Sequence, residues 1–111
     1  MSYDVVIKSV GMGVCEETLA KNLMMGFIHT LAGKENLPEH IILYGEGVKL
    51  TTTGSECVDD LEILEEKGVK ILSCGICLDF YNLKEELQVG GITTMGEVVD
   101  IVSKSNFVFE P

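Results

Sequence analysis

The sequence predicts an α/β domain built on a mainly parallel sheet, and three observations carry that reading. Short continuous apolar runs (Val5-Val6-Ile7, Ile41-Ile42-Leu43-Tyr44, and the segment Val69 to Ser73) have the pattern of strands covered on both faces. Segments of helical periodicity separate them, so strand and helix alternate from end to end. The chain's 111 residues, 46% of them hydrophobic, are one domain's worth of polymer with enough apolar material for a core that needs no disulfide or metal.

The first strand is read from Tyr3 to Val10 and ends in the flexible turn Gly11-Met12-Gly13. A helix is expected from Cys15 to Ala32, with Leu19, Ala20, Leu23, Met24, Phe27, Ile28 and Leu31 on one broad stripe and Gly33 as its stop. The second strand, Ile41 to Tyr44, runs into the loop Gly45-Glu46-Gly47-Val48-Lys49-Leu50. The next helix, Glu56 to Lys67, has Ser55 as its expected N-cap and Gly68 as its stop. Cys57, Val58, Leu61 and Leu64 form its inner stripe.

The third strand leads straight into Cys74-Gly75-Ile76-Cys77, where a short helix is expected to begin near Ile76. Asn82, with Glu85 three residues on, has the spacing of a capping box for another short helix. Ile92-Thr93 is a brief fourth strand. Thr94-Met95-Gly96-Glu97 is a second capping box, opening a helix that carries Val98, Val99 and Val102, and Phe107 to Phe109 is the last strand.

The charge balance narrows the partners. There are 18 acidic residues against 8 basic ones, all lysine, for a net charge of −10. A chain so acidic and without arginine is repelled by phosphate backbones and lacks the side chain that most often reads guanine. Nucleic acid and anionic membranes are therefore excluded as main partners. The longest apolar stretch, Leu23 to Ile28, falls far short of the ~20 residues a membrane span needs. The start of the chain, Met-Ser-Tyr-Asp, shows no secretory pattern, so a cytoplasmic protein is expected.

In parallel sheets, ligands bind beyond the carboxyl ends of the strands. That selects three loops: Gly11 to Val14, Gly45 to Leu50, and Cys74 to Cys77. Cys74 falls where a strand ends and a helix begins, a position whose free N–H groups stabilise a thiolate and lower its pKa. The competing reading is a small buried hydrophobe. Cys77, three residues on, has the spacing to approach Cys74 and resolve a mixed disulfide or persulfide formed there; the bland alternative is simple packing under the helix.

Cys15 is a candidate accessory thiol but is better read as incidental to the helix start, and Cys57 is read as core. A four-cysteine zinc site needs two close pairs, and only one exists, so neither metal nor cofactor is expected. Lys49, after the glycines Gly45 and Gly47, is a candidate for attracting an anionic group, against the plainer reading of a solvated lysine. His29 and His40 have no evident companion in the sequence. The acids from Glu56 to Glu66 read as a solvated helix face.

The segment Cys74-Gly75-Ile76-Cys77-Leu78-Asp79-Phe80-Tyr81-Asn82-Leu83 resembles the signature cysteine segment of DsrE-like sulfur-relay proteins. It is most similar to the C-terminal domain of YedF-type selenium-metabolism proteins. Asp4 to Ile7, Leu23 to Phe27, Tyr44 to Leu50 and Leu64 to Val69 extend the likeness over essentially the whole chain, residues 1–111 as a single DsrE-like domain.

The resemblance implies a three-layer α/β/α fold with five strands, and a sulfur-relay or sulfurtransferase-like role with sulfane sulfur carried on Cys74. It also implies a homo-oligomer, trimer or hexamer, and a TusA-like sulfur carrier as partner. Cys77 would then assist, and Gly45, Gly47, Lys49 and Gly75 would line the substrate entrance. Two departures stand out. Many relatives have Arg-Gly where this chain has Tyr81-Asn82, and the TusA-like domain with its Cys-Pro pair, usual in YedF-type proteins, has no counterpart here. Two further readings use the same residues: a Cys74–Cys77 dithiol–disulfide switch, and a non-catalytic binding module with ordinary thiols.

Overall fold

The computed structural model describes residues 2–111. Five strands form one sheet: β1 (Asp4–Ile7), β2 (His40–Leu43), β3 (Lys70–Cys74), β4 (Gly91–Thr93) and β5 (Val108–Phe109). Their order is β4-β3-β2-β1-β5, and every pairing is parallel. Four α-helices connect them: α1 (Glu17–Ala32), α2 (Val58–Glu66), α3 (Gly75–Phe80) and α4 (Met95–Ser103). The predicted α/β class with a five-stranded parallel sheet is thus observed.

Successive strand residues face opposite sides of the sheet. On one side Val5, Ile7, Ile41, Leu43 and Ile71 pack with Met24, Ile28 and Leu31 of α1 and Leu61 and Leu64 of α2 in the main core. On the other side Val6 and Ile42 lie under α4, where they share an apolar cavity with Met95 and Val98. The two sides are unequal. No residue of α4 is buried, and Met95 and Val99 are each 54% exposed.

Several boundaries differ from the sequence reading. α1 begins at Glu17, not Cys15, because Gly13 turns the chain at φ +86° and Glu16 remains extended; Cys15 is left exposed in the preceding bend. Leu19 and Leu23 stay about half exposed, so the buried stripe is Ala20, Met24, Ile28, Leu31 and Ala32. Cys57 is the N-cap of α2, and the Ser55 hydroxyl accepts from the Cys57 N–H at 3.1 Å, two residues too early to cap α2 itself.

The loop after β2 is a 3₁₀ helix, Gly45–Thr51. Asn82 caps no helix: it takes the left-handed conformation at φ 56°, and the short 3₁₀ turn that follows is Lys84–Glu86. Thr94 does cap α4, accepting from the Glu97 N–H at 3.3 Å, but the Glu97 carboxylate turns to the Thr93 hydroxyl rather than closing a capping box.

Candidate functional site at the carboxyl edge

β3 ends at Cys74, and α3 begins at once with Gly75. A Cβ on Gly75 would lie 3.1 Å from the Ile92 side chain on β4, a close contact that Ile92 would have to yield to. One turn of α3 then brings Cys77 back over the strand end. Cys74 is buried at 4% exposure, and Cys77 is half-buried beside it. The two thiols are neighbours, close enough that Cys74 helps to raise the pKa of Cys77.

The 3₁₀ helix forms the facing wall. The Gly45 N–H donates to the Cys77 sulfur at 3.1 Å. Gly45 adopts φ +58°, and a Cβ on Gly47 would meet the Ile7 carbonyl oxygen at 2.5 Å, so both glycines let this wall press against β1. A buried hydroxyl pair fastens it to the cysteine strand: Thr51 Oγ1 lies 2.8 Å from Ser73 Oγ and donates to the Val48 carbonyl at 2.9 Å. Neither Thr51 nor Ser73 is recognisable from sequence, because 22 positions separate them and only the fold joins them.

Burial pushes the Cys77 thiol above its ordinary pKa; the Gly45 N–H opposes this, and the neighbouring Cys74 adds to it. Cys77 is held towards its protonated form, although it receives a backbone hydrogen bond that suits a thiolate.

Lys49 extends from the 3₁₀ helix. Its ammonium pairs with Glu46 at 3.1 Å and stands 4.6 Å above the centre of the Tyr81 ring. Tyr81 caps the C-terminus of α3, so a cation is delivered against the end of that helix. Asn82 meets the left-handed requirement of the next position.

Two cavities adjoin this edge. An apolar one of about 460 Å³ includes Val6, Ile42, Tyr44, Cys74, Met95 and Val98. A more polar one of about 430 Å³ is lined by Lys21, Glu46, Lys49 and Cys57, among others. The remaining cysteines stand apart: Cys57 is buried core, and the Cys15 sulfur faces the Met12 carbonyl at 3.9 Å. All four cysteines are free thiols. Both histidines have aspartate partners that the sequence did not reveal: His29 meets Asp60 at 3.2 Å, and His40 meets Asp4 at 2.8 Å.

Comparison with known proteins agrees with this architecture. A family model described as "DsrE/DsrF-like family" matches residues 18–110. Among solved structures, the ychN protein of E. coli superposes with a TM-score of 0.74 at 18% identity, covering 100% of both chains. The MTH1491 protein of Methanobacterium thermoautotrophicum gives 0.73 at 17% identity, over 99% of this chain and 98% of its own. The BT1422 protein of Bacteroides thetaiotaomicron gives 0.62 at 14% identity, over 97% and 94%. A search among curated proteins finds no match.

Proposed function

From the premise that this chain belongs to the DsrE/DsrF-like family, we propose that it is a sulfur-relay protein carrying sulfane sulfur on Cys74. The supporting observation is the juxtaposition of two free thiols at the carboxyl edge, one of them hydrogen-bonded by the Gly45 N–H. The Cys74 thiolate attacks the outer sulfur of a donor persulfide, forming a Cys74 persulfide and releasing the donor as its thiolate. An acceptor thiolate then takes the outer sulfur and restores Cys74. Where no acceptor arrives, Cys77 attacks the Cys74 sulfur; a Cys74–Cys77 disulfide forms and hydrosulfide leaves.

Lys49, over Tyr81, brings a positive charge beside the C-terminus of α3 and attracts the anionic persulfide. Gly45, Gly47 and Gly75 shape the walls. The relay belongs in the cytoplasm, where thiols stay reduced; no helix of the described residues is long and apolar enough to cross a membrane.

A homo-oligomer fits the exposed apolar side of the sheet under α4, where Met95 and Val99 are each 54% exposed and Val108 is 36% exposed. A TusA-like carrier is the proposed exchange partner. Selenium as an alternative cargo rests on the YedF-like character of residues 74–83 alone.

Cyanolysis of protein treated with a persulfide donor tests the reading. About one labile sulfur per chain is expected in the wild type and none in Cys74→Ser. Equal labile sulfur in both would overturn it, and a stable Cys74–Cys77 disulfide with no labile sulfur would favour the dithiol switch.

A further inference from the structure

The opposite, amino edge of the sheet holds a cluster that the sulfur chemistry does not use. Asp4 opens β1 and His40 opens β2, and the parallel register sets them side by side. Glu39 precedes His40, and its backbone is tied on both sides: its N–H donates to the Tyr3 carbonyl at 2.8 Å, and its carbonyl accepts from the Lys70 N–H at 3.0 Å. One carboxylate oxygen from Asp4, one from Glu39 and a ring nitrogen of His40 all lie within 4.8 Å of one another.

Asp4 is the unusual member. It is 2% exposed, and a buried carboxylate requires compensation. Its compensation comes from within the cluster: Oδ1 accepts from the His40 N–H at 3.1 Å and lies 2.8 Å from His40 Nδ1.

Asp4, Glu39 and His40 share a cavity of about 480 Å³ with Glu97, Asp100 and Lys104 of the α4 region. Four carboxylates against one ammonium make that cavity negative. Two donor atoms bound to one ion at ~2.0–2.1 Å stand about 2.9–3.3 Å apart, close to the 2.8 Å between Asp4 Oδ1 and His40 Nδ1.

The geometry points to a divalent transition-metal site formed by Asp4, Glu39 and His40. One imidazole and two carboxylates suit a first-row ion of intermediate softness and disfavour magnesium or calcium, which take oxygen donors. The exposed Glu39 side chain has the freedom to close on an ion held by the buried pair. The ion would join β1 to β2 beside the end of α4, on the edge away from Cys74, so its role is to brace the fold rather than to take part in sulfur transfer.

Cobalt(II), titrated into reduced full-length protein, is the probe, read by NMR line-broadening and by visible absorption. Broadening centred on residues 4, 39 and 40 at one equivalent is expected, with affinity falling at least about tenfold in Glu39→Gln and in His40→Gln. Glu39→Gln alters an exposed side chain, so its folding is secure even if His40→Gln proves unstable. The six acids of residues 56–66 serve as an internal control for loose binding to surface carboxylates. No broadening around residues 4, 39 and 40, or broadening there that survives Glu39→Gln undiminished, would overturn the proposal. A cobalt–thiolate absorption band would report binding at Cys74–Cys77 and would be scored separately.

Discussion

The Gly45 N–H donates to the Cys77 sulfur at 3.1 Å, joining the turn after β2 to the helix after β3. These residues are 32 positions apart in the chain, and their contact sets the thiol pair against a wall of backbone. Gly45 reaches it in the left-handed conformation, where a Cβ would also come within 3.1 Å of the Lys8 carbonyl oxygen. Gly45→Ala is expected to cost about 1–2 kcal/mol from backbone strain alone. It should also weaken the one interaction that lowers the Cys77 pKa. Denaturant unfolding measures the first effect, and the pH dependence of Cys77 alkylation the second, its midpoint moving up.

Gly47 has a different constraint. Its Cβ would lie 2.5 Å from the Ile7 carbonyl oxygen, which belongs to β1 and has no freedom to retreat. Gly47→Ala should destabilise by about 1–3 kcal/mol, as overpacked sites do. A thermal melt that matches the wild type would show that the 3₁₀ helix can lift off β1.

Release of hydrosulfide through Cys77 should depend on pH in a defined direction. Burial holds this thiol above its ordinary pKa, so its thiolate, and with it the rate of disulfide closure, should still be rising above the usual thiol range near ~8.5. Cys77→Ser should load sulfur normally but release it only to an external acceptor. Hydrosulfide evolution against pH, with and without the substitution, checks both expectations.

Stability should fall on the alkaline side. Cys57 is raised by burial first, then by Asp60, and Cys77 is raised by burial. The unfolded chain gives up these protons more readily than the folded one, so their contribution is complete below the ordinary thiol pKa and is lost as pH rises through the folded values. Cys57→Ala should flatten this alkaline loss, at a cost near 1 kcal/mol for the vacated space. Unfolding free energies from pH 7 to 10 provide the comparison.

Much of this fold is legible in the sequence because the three central strands are continuous apolar runs and the helices between them end at Gly33 and Gly68. The edges are less so. β5 is two exposed residues, Val108 and Phe109, recognisable only as an apolar pair near the end of the chain. The helix carrying Val98, Val99 and Val102 is legible from its capping spacing, yet none of its residues is buried, since periodicity shows that a face is apolar but not what covers it. Asn82 followed by Glu85 has a capping spacing, but the left-handed turn that ends α3 uses the asparagine instead. At the site, the cysteines and glycines announce themselves by spacing. Thr51–Ser73, Lys49 over Tyr81, and Asp4–His40 do not, because each pair is made by strand register or by packing across the sheet edge.

The exposed side of the sheet gives an expectation for assembly. Val99→Glu places a charge on the open stripe of α4 without disturbing a buried residue. It should shift the protein from an oligomer to the mass of a single chain in light scattering, with an unchanged circular dichroism spectrum. A wild-type protein that is already monomeric at high concentration would rule out the oligomer reading.

The most direct measurement is peptide mass mapping after loading with a persulfide donor. An added mass of one sulfur on Cys74 is predicted, retained in Cys77→Ser and lost in Cys74→Ser. Loading that disappears in Cys77→Ser but persists in Cys74→Ser would contradict the assignment of Cys74 as the carrier.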